Sequence, residues 1–246
     1  MAFKAGEYTD EAKALPVILL LDISGSMSGS KITTLNQAVR TMLEEFKRIS
    51  SGETQIRFGV ITFESEARVH IPLQNVENVS WRDLHAGGGT NLMDALVLVK
   101  NLYEDRNVIP SRSYRPTVIL VSDGMPDSGW EDPMKAFITT GRSIKANRMS
   151  MLIGDNSAAQ VMLQFLQGSG NPLFFARDAG DISKFFQYVT ETTTAQAKNP
   201  DDPVASPTYD PENTIAATAP TEVATASTAT PMATVTVNND EGDEDE

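Results

Sequence analysis

Residues 16–21, PVILLL, form an apolar run without alternation, and Asp22 ends it. A strand that is apolar on both sides needs cover on both faces, and a parallel sheet between two helical layers provides it. TVILV at 117–121 repeats the pattern, and Asp123 follows closely. MSMLI at 149–153 and PLFFA at 172–176 are weaker versions. The intervening stretches carry the helical period, most clearly at Ile32, Leu35, Val39, Met42, Leu43, Phe46 and Ile49, a single apolar stripe stopped by Ser-Ser-Gly. Further helices are predicted at about 91–105, 131–147, 157–167 and 180–193. TQIRFGVITF and ARVHIPL read as a strand pair, the second at or near an edge because Pro72 lacks a ladder donor. Strands and helices alternating in this way predict an α/β, doubly wound, mostly parallel open sheet flanked by helices on both faces. Ligands in such folds sit at the carboxyl ends of the strands, where the strand order reverses. Asp22 and Asp123 should therefore reach the same rim.

The chain divides into an N-terminal extension (1–13), a folded domain (14–194) and a Thr/Ala/Pro-rich acidic tail (195–246). The tail lacks Leu, Phe and Trp and closes on NNDEGDEDE, so it is expected to be disordered. Of the 33 acidic residues, eleven lie in 195–246, together with one of the 20 basic residues. Most of the formal charge of −13 therefore belongs to the tail. That balance argues against nucleic acid or an anionic membrane as partner. No run reaches the ~18 apolar residues of a membrane helix, and MAFKAGEYTDEAKALP has neither the apolar core nor the cleavage site of a signal peptide. A cytoplasmic location is the expectation. With no cysteine, disulfides, thiolate metal sites and cysteine catalysis are excluded.

The stretch LLLDISGSMSG places Asp22, Ser24 and Ser26 at alternate positions where the first strand stops. A phosphate-binding P-loop would use Gly25 and Lys31, but Ser30 stands where its second glycine belongs and Ile32 where its metal-binding hydroxyl belongs. A serine-hydrolase elbow fails because Gly25 and Gly29 flank Met27. An aspartyl-phosphate mechanism with Asp22 as nucleophile lacks its proton carrier, Ser24 standing where the second aspartate would be. As metal ligands the residues fit better. Carboxylate and hydroxyl oxygens suit Mg²⁺ or Mn²⁺, and a cation held by only two carboxylates keeps positions that another molecule can take. A polar turn with a helix cap remains the plain alternative for this stretch. HAGGGTNLMDAL at 85–96 adds glycines that let a loop approach closely, and Thr90 just before a helical pattern, where it could also be an N-cap.

Asp-x-Ser-x-Ser, Gly-Gly-Gly-Thr and Ser-Asp-Gly, in that order on an α/β pattern, resemble the von Willebrand factor A domain family over about residues 14–193. The resemblance implies a metal-ion-dependent adhesion site formed by Asp22, Ser24, Ser26, Thr90 and Asp123. It also implies a protein partner whose Asp or Glu completes the coordination of Mg²⁺ or Mn²⁺. LLLDISGSMSGSKI, AGGGTNLMDAL and YRPTVILVSDGMPDSGW are similar to the TerY-type bacterial branch, which implies a stress-response or tellurium-resistance setting. A cysteine-free acidic tail replaces the zinc-binding C-terminal segment that many proteins of that branch carry. The expected function is a non-enzymatic, metal-dependent protein-binding module. An Mg²⁺-dependent phosphoryl-transfer enzyme and a structural subunit with a purely structural metal are the alternatives. His70 and His85 read as a strand and a loop residue, and Met27, Met93 and Met125 as ordinary packing. Trp81 and Trp130 read as edge cover or interface anchors, and Asp127 as a support to Asp123.

Overall fold

The computed structural model describes residues 13–50 and 54–198, and a two-residue strand at 214–215. Its strands are β1 (Lys13–Asp22), β2 (Thr54–Phe63), β3 (Ala67–Asn75), β4 (Thr117–Ser122), β5 (Asn147–Ile153), β6 (Leu173–Ala176) and β7 (Thr214–Ile215). Helices α1 (Ser30–Ile49), α2 (Leu92–Glu104), α3 (Glu131–Thr139), α4 (Ala159–Leu166) and α5 (Ala179–Lys198) connect them. The sheet order is β3-β2-β1-β4-β5-β6-β7, antiparallel only at β2–β3 and β6–β7. This is the expected doubly wound, mostly parallel sheet.

The non-alternating run in β1 is buried on both sides. Val17, Leu19 and Leu21 pack with α1 and α5, while Ile18 and Leu20 pack with α2, α3 and α4. Every residue from Leu15 through Asp22 is buried. Burying side chains of this size contributes about 1.5–3 kcal/mol each, so the centre of the sheet is its most strongly held part. β3 is the edge strand, as Pro72 required. Pro72 and Leu73 stand opposite Gly59 in a bulge between the pairs Phe58↔Gln74 and Val60↔Ile71. A Cβ at Gly59 would lie 3.2 Å from Leu73 Cα.

Several boundaries differ from the sequence expectation. The helix expected over 131–147 ends at Thr139. Gly141 then turns the chain with φ +73°, a 3₁₀ turn covers Arg142–Lys145, and β5 starts at Asn147. Lys13, expected to close the N-terminal extension, pairs with Thr54 in β1; residues 1–12 lie outside the described residues. The expected domain ends at 194, whereas α5 runs to Lys198. Gln196 Nε2 donates to Arg115 O at 3.2 Å, and Thr54 Oγ1 to Ala197 O at 2.8 Å. The tail beyond Lys198 lies outside the described residues except Thr214–Ile215, which pairs with Phe174 and Leu173 on the β6 edge.

Helix α1 also anchors the chain leading into the glycine-rich loop. Asn36, almost fully buried, donates from Nδ2 to Leu84 O at 3.0 Å and accepts Leu84 N–H at 2.8 Å. Asn36→Ala leaves a buried donor and a buried acceptor without their partner. We expect a loss of about 2 kcal/mol in urea unfolding, whereas a loss of a few tenths would show that Leu84 is held by packing alone.

Candidate functional site

The strand order reverses between β1 and β4, and parallel pairing brings their ends side by side. Leu21 pairs with Val121, so Asp22 stands beside Ser122 with Asp123 one step further. Asp22 is fully buried. Its Oδ1 accepts the Ser24 N–H at 2.8 Å and its Oδ2 the Ser122 hydroxyl at 2.5 Å. The chain then turns through a 3₁₀ turn at Gly25–Met27, pinned by the buried Met27 side chain. That turn lifts Ser26 to the surface. Ser24 Oγ and Ser26 Oγ lie 3.1 Å apart, and Ser26 Oγ donates to Asp123 Oδ1 at 2.7 Å. The Asp123 side chain has no exposed surface, and its Oδ2 receives Lys31 Nζ at 2.6 Å. Four of the five expected ligand residues thus form one polar chain running from the sheet interior to solvent.

Thr90 arrives on the glycine-rich loop, which backbone hydrogen bonds fasten to the same rim. Gly25 N–H donates to Gly88 O at 3.1 Å, Gly87 N–H to Ile23 O at 2.8 Å, and Asn91 N–H to Glu64 O at 2.6 Å. Gly88 has φ +75°, a conformation that favours glycine, and a Cβ there would also lie 3.2 Å from the Ser65 backbone nitrogen. Thr90 is half-buried. It is not the N-cap of α2, because the neighbouring Asn91 caps by accepting the Asp94 N–H at 3.0 Å. Asp127 supports Thr90 rather than Asp123. Its carboxylate accepts the Thr90 N–H at 3.0 Å and its own N–H donates to Thr90 O at 2.9 Å.

Burial is the main cause holding the Asp22 carboxyl above its ordinary value of 3.8, and the charge of Asp123 adds to it; hydrogen bonds from Ser122 and Ser24 offset part of the effect. Two carboxylates forced together in a buried rim are a place where a divalent cation gains energy. The donors are carboxylate and hydroxyl oxygens, which fits a hard cation such as Mg²⁺ or Mn²⁺. Among the described residues no group of three or more His, Cys, Asp or Glu is placed to hold a metal. Any cation here depends on the serines, and Thr90 is the further hydroxyl at the rim.

Other residues singled out in the sequence fall elsewhere. His70 faces Arg82 O at 3.3 Å and meets Trp81 edge-on, 5.6 Å between ring centroids. His85 is exposed. Met27 is core, but Met125 is 53% exposed between Asp123 and Asp127, so packing does not account for it. Trp81 and Trp130 lie partly buried against the two sides of the core. Ser122, Lys31 and the Glu64–Ser65 turn were not identified as parts of the site. The Ser-Asp pair at 122–123 was the available signal for Ser122.

The elevated Asp22 carboxyl gives a pH test. The unfolded chain ionises Asp22 near 3.8 while the fold resists ionisation, so its contribution is complete below that pH and is lost as pH rises through the folded value. Asp22→Asn lacks this loss. In metal-depleted buffer, the unfolding free energy of the variant minus that of the wild type should therefore increase from about pH 4 to pH 7. Urea titrations at several pH values measure it, and parallel profiles would contradict it.

The sequence and the fold match known proteins. The bovine inter-alpha-trypsin inhibitor heavy chain H4 is 28% identical over 222 residues, covering 82% of this chain and 24% of its own length. The pig protein of the same name is 33% identical over 128 residues, covering 48% of this chain and 13% of its own. This chain thus spans a quarter or less of these relatives. Among solved structures, a von Willebrand factor type A protein from Catenulispora acidiphila superposes with a TM-score of 0.57 at 18% identity, covering 74% of this chain and 43% of that one. Proximal thread matrix protein 1 from the mussel byssus, with a zinc-occupied MIDAS motif, gives a TM-score of 0.56 at 15% identity, with coverages of 74% and 48%. The family model for the von Willebrand factor type A domain matches residues 17–188, nearly the whole described body. The chain belongs to the von Willebrand factor type A domain family.

Proposed function

We propose that this chain is a metal-dependent protein-binding module in which Asp22, Ser24, Ser26, Thr90 and Asp123 hold Mg²⁺ or Mn²⁺, and a partner's Asp or Glu completes the coordination. Domains of this family are generally metal-dependent interaction modules. The observation that carries the reading is the hydrogen-bonded chain joining Asp22, Ser24, Ser26 and Asp123 at the strand-order reversal. When bound, the cation supplies positive charge to an incoming carboxylate. The protein's own part is to keep that charge only partly neutralised, with two buried carboxylates supplemented by neutral hydroxyls. The mussel neighbour carries zinc in its MIDAS motif; the all-oxygen set here suits Mg²⁺ or Mn²⁺.

A phosphoryl-transfer role for Asp22 gains nothing from the geometry. Both of its carboxylate oxygens accept hydrogen bonds, it has no exposed surface, and Ser24 stands where a proton carrier would be needed. We read the module as non-catalytic. We assign the domain to 14–194, extended by β1 to Lys13 and by α5 to Lys198, and the Thr/Ala/Pro-rich acidic segment that follows contributes Thr214–Ile215 to the sheet. The proposed setting, a bacterial stress-response or tellurium-resistance-type system in the cytoplasm, rests on the motif phrases around Asp22, Thr90 and Asp123 alone.

Millimolar Mg²⁺ or Mn²⁺ should raise the melting temperature by about 3 °C, since a ligand that binds only the folded state stabilises it by mass action. Asp22→Ala and Asp123→Ala should abolish the increment. In pull-downs from host lysate, EDTA should remove the partner and Thr90→Ala should weaken its capture without lowering the midpoint of unfolding. A partner retained in full in excess EDTA would favour the reading in which the metal is only structural.

A further inference from the structure

Lys31 is the charged group of the rim that the metal-site reading leaves unexplained. It enters in the first turn of α1 with its side chain about one-third exposed, and its ammonium reaches inward to a carboxylate with no exposed surface. Lys31 Nζ lies 2.6 Å from Asp123 Oδ2 and 3.3 Å from Ser26 O. It thus contacts two of the five residues proposed to hold the cation. It also lies 3.9 Å from where a side chain on Gly154 would begin, at the end of β5. Asp155 follows there, an exposed carboxylate whose Oδ1 accepts the Ser157 N–H at 2.8 Å and which feels the Lys31 charge.

We propose that Lys31 is a tethered competitor for the metal, an internal cation that must give up Asp123 for a divalent ion to bind and that then pairs with Asp155. The proposal rests on the metal-site reading and adds its regulation. One carboxylate oxygen cannot serve an ammonium and a dication equally. A positive charge left beside the dication also repels it. Burial sharpens the contest, because an ion pair closed off from water is screened far less than a surface pair. Asp155 offers Lys31 a second anion one strand away, so the exchange does not strand the ammonium without a partner. Lys31 thereby sets a threshold cation concentration for the site without being a ligand.

Titration calorimetry of Mn²⁺ into the purified full chain tests this, with circular dichroism confirming that each variant is folded. Lys31→Met and Lys31→Gln should bind Mn²⁺ about tenfold more tightly than wild type, the size expected for losing one close charge. Lys31→Arg, which keeps the charge, should stay near wild type. Asp155→Asn should weaken binding about threefold when Lys31 is present and clearly less in the Lys31→Met background, because its main effect acts through the lysine. Lys31→Met and Lys31→Gln variants no tighter than wild type would overturn the competitor role, as would an Asp155→Asn effect equal in both backgrounds. Asp22→Ala separates the two claims. If it abolishes Mn²⁺ binding while Lys31→Met changes nothing, the metal site stands and the competitor falls. If Asp22→Ala binds as well as wild type, or no variant binds Mn²⁺, the metal reading falls and the proposal falls with it.

Discussion

The parallel pairing of β1 with β4 is the interaction on which everything at the rim depends. Leu21↔Val121 sets Asp22 beside Ser122 and delivers Asp123 to the same level. A shift of one residue would move every apolar side chain of a doubly buried strand to the opposite face. Register is therefore enforced by Val17, Leu19 and Leu21 on one side and by Ile18 and Leu20 on the other. The core thus specifies carboxylate geometry, and the buried Met27 extends that control to the turn carrying Ser26. The cost is a buried carboxyl at the strand end, met in part by the Ser24 N–H and the Ser122 hydroxyl.

The sheet was readable because its signal is local and redundant. Non-alternating apolar runs mean two covered faces wherever they occur, and Pro72 announced the edge. The end of α3 carries a local signal in Gly141, which the continuing apolar spacing masks, and a nonlocal one as well. Phe137, Ile138 and Ile144 keep a helix-like spacing, but Glu104 Oε1, from α2, accepts the backbone N–H groups of Arg142 and Ser143 at 2.8 and 3.4 Å. A carboxylate 38 residues away in sequence thus takes up the N–H groups that a continued helix would have used itself. The end of α5 shows the same limit, since Thr54 and Arg115 extend the helix into a stretch whose composition reads as tail.

The candidate site divides along the same line. Asp22, Ser24 and Ser26 announce themselves by alternation at a strand end, and Asp123 by its own strand. Thr90 needed the family resemblance, because a threonine before a helix is also a cap. The structure gives that cap to Asn91 and leaves Thr90 fixed at its backbone by Asp127. Lys31 was visible only as a failed P-loop lysine, since nothing in its neighbourhood predicts a partner 92 residues away. Ser122 depends on interstrand register, which no single strand encodes.

The division also has a functional consequence for the proposed module. Asp22, Ser24 and Asp123 are buried and held by the sheet, so three of the five proposed ligands belong to the rigid body. Ser26 and Gly88 are exposed and Thr90 is half-buried, all on loops fixed mainly through backbone bonds to Ile23, Gly25 and Glu64. Substitutions beside these loops that spare the proposed ligands, at the exposed Met125 for example, are the ones that can alter which carboxylate partner fits while leaving the cation's ligands intact. Lys31 bridges the two halves, its aliphatic stem at the surface and its ammonium on a buried oxygen. In the proposed module the buried carboxylates thus set the base on which the cation sits, while the loop hydroxyls couple its hold to the partner that completes the coordination.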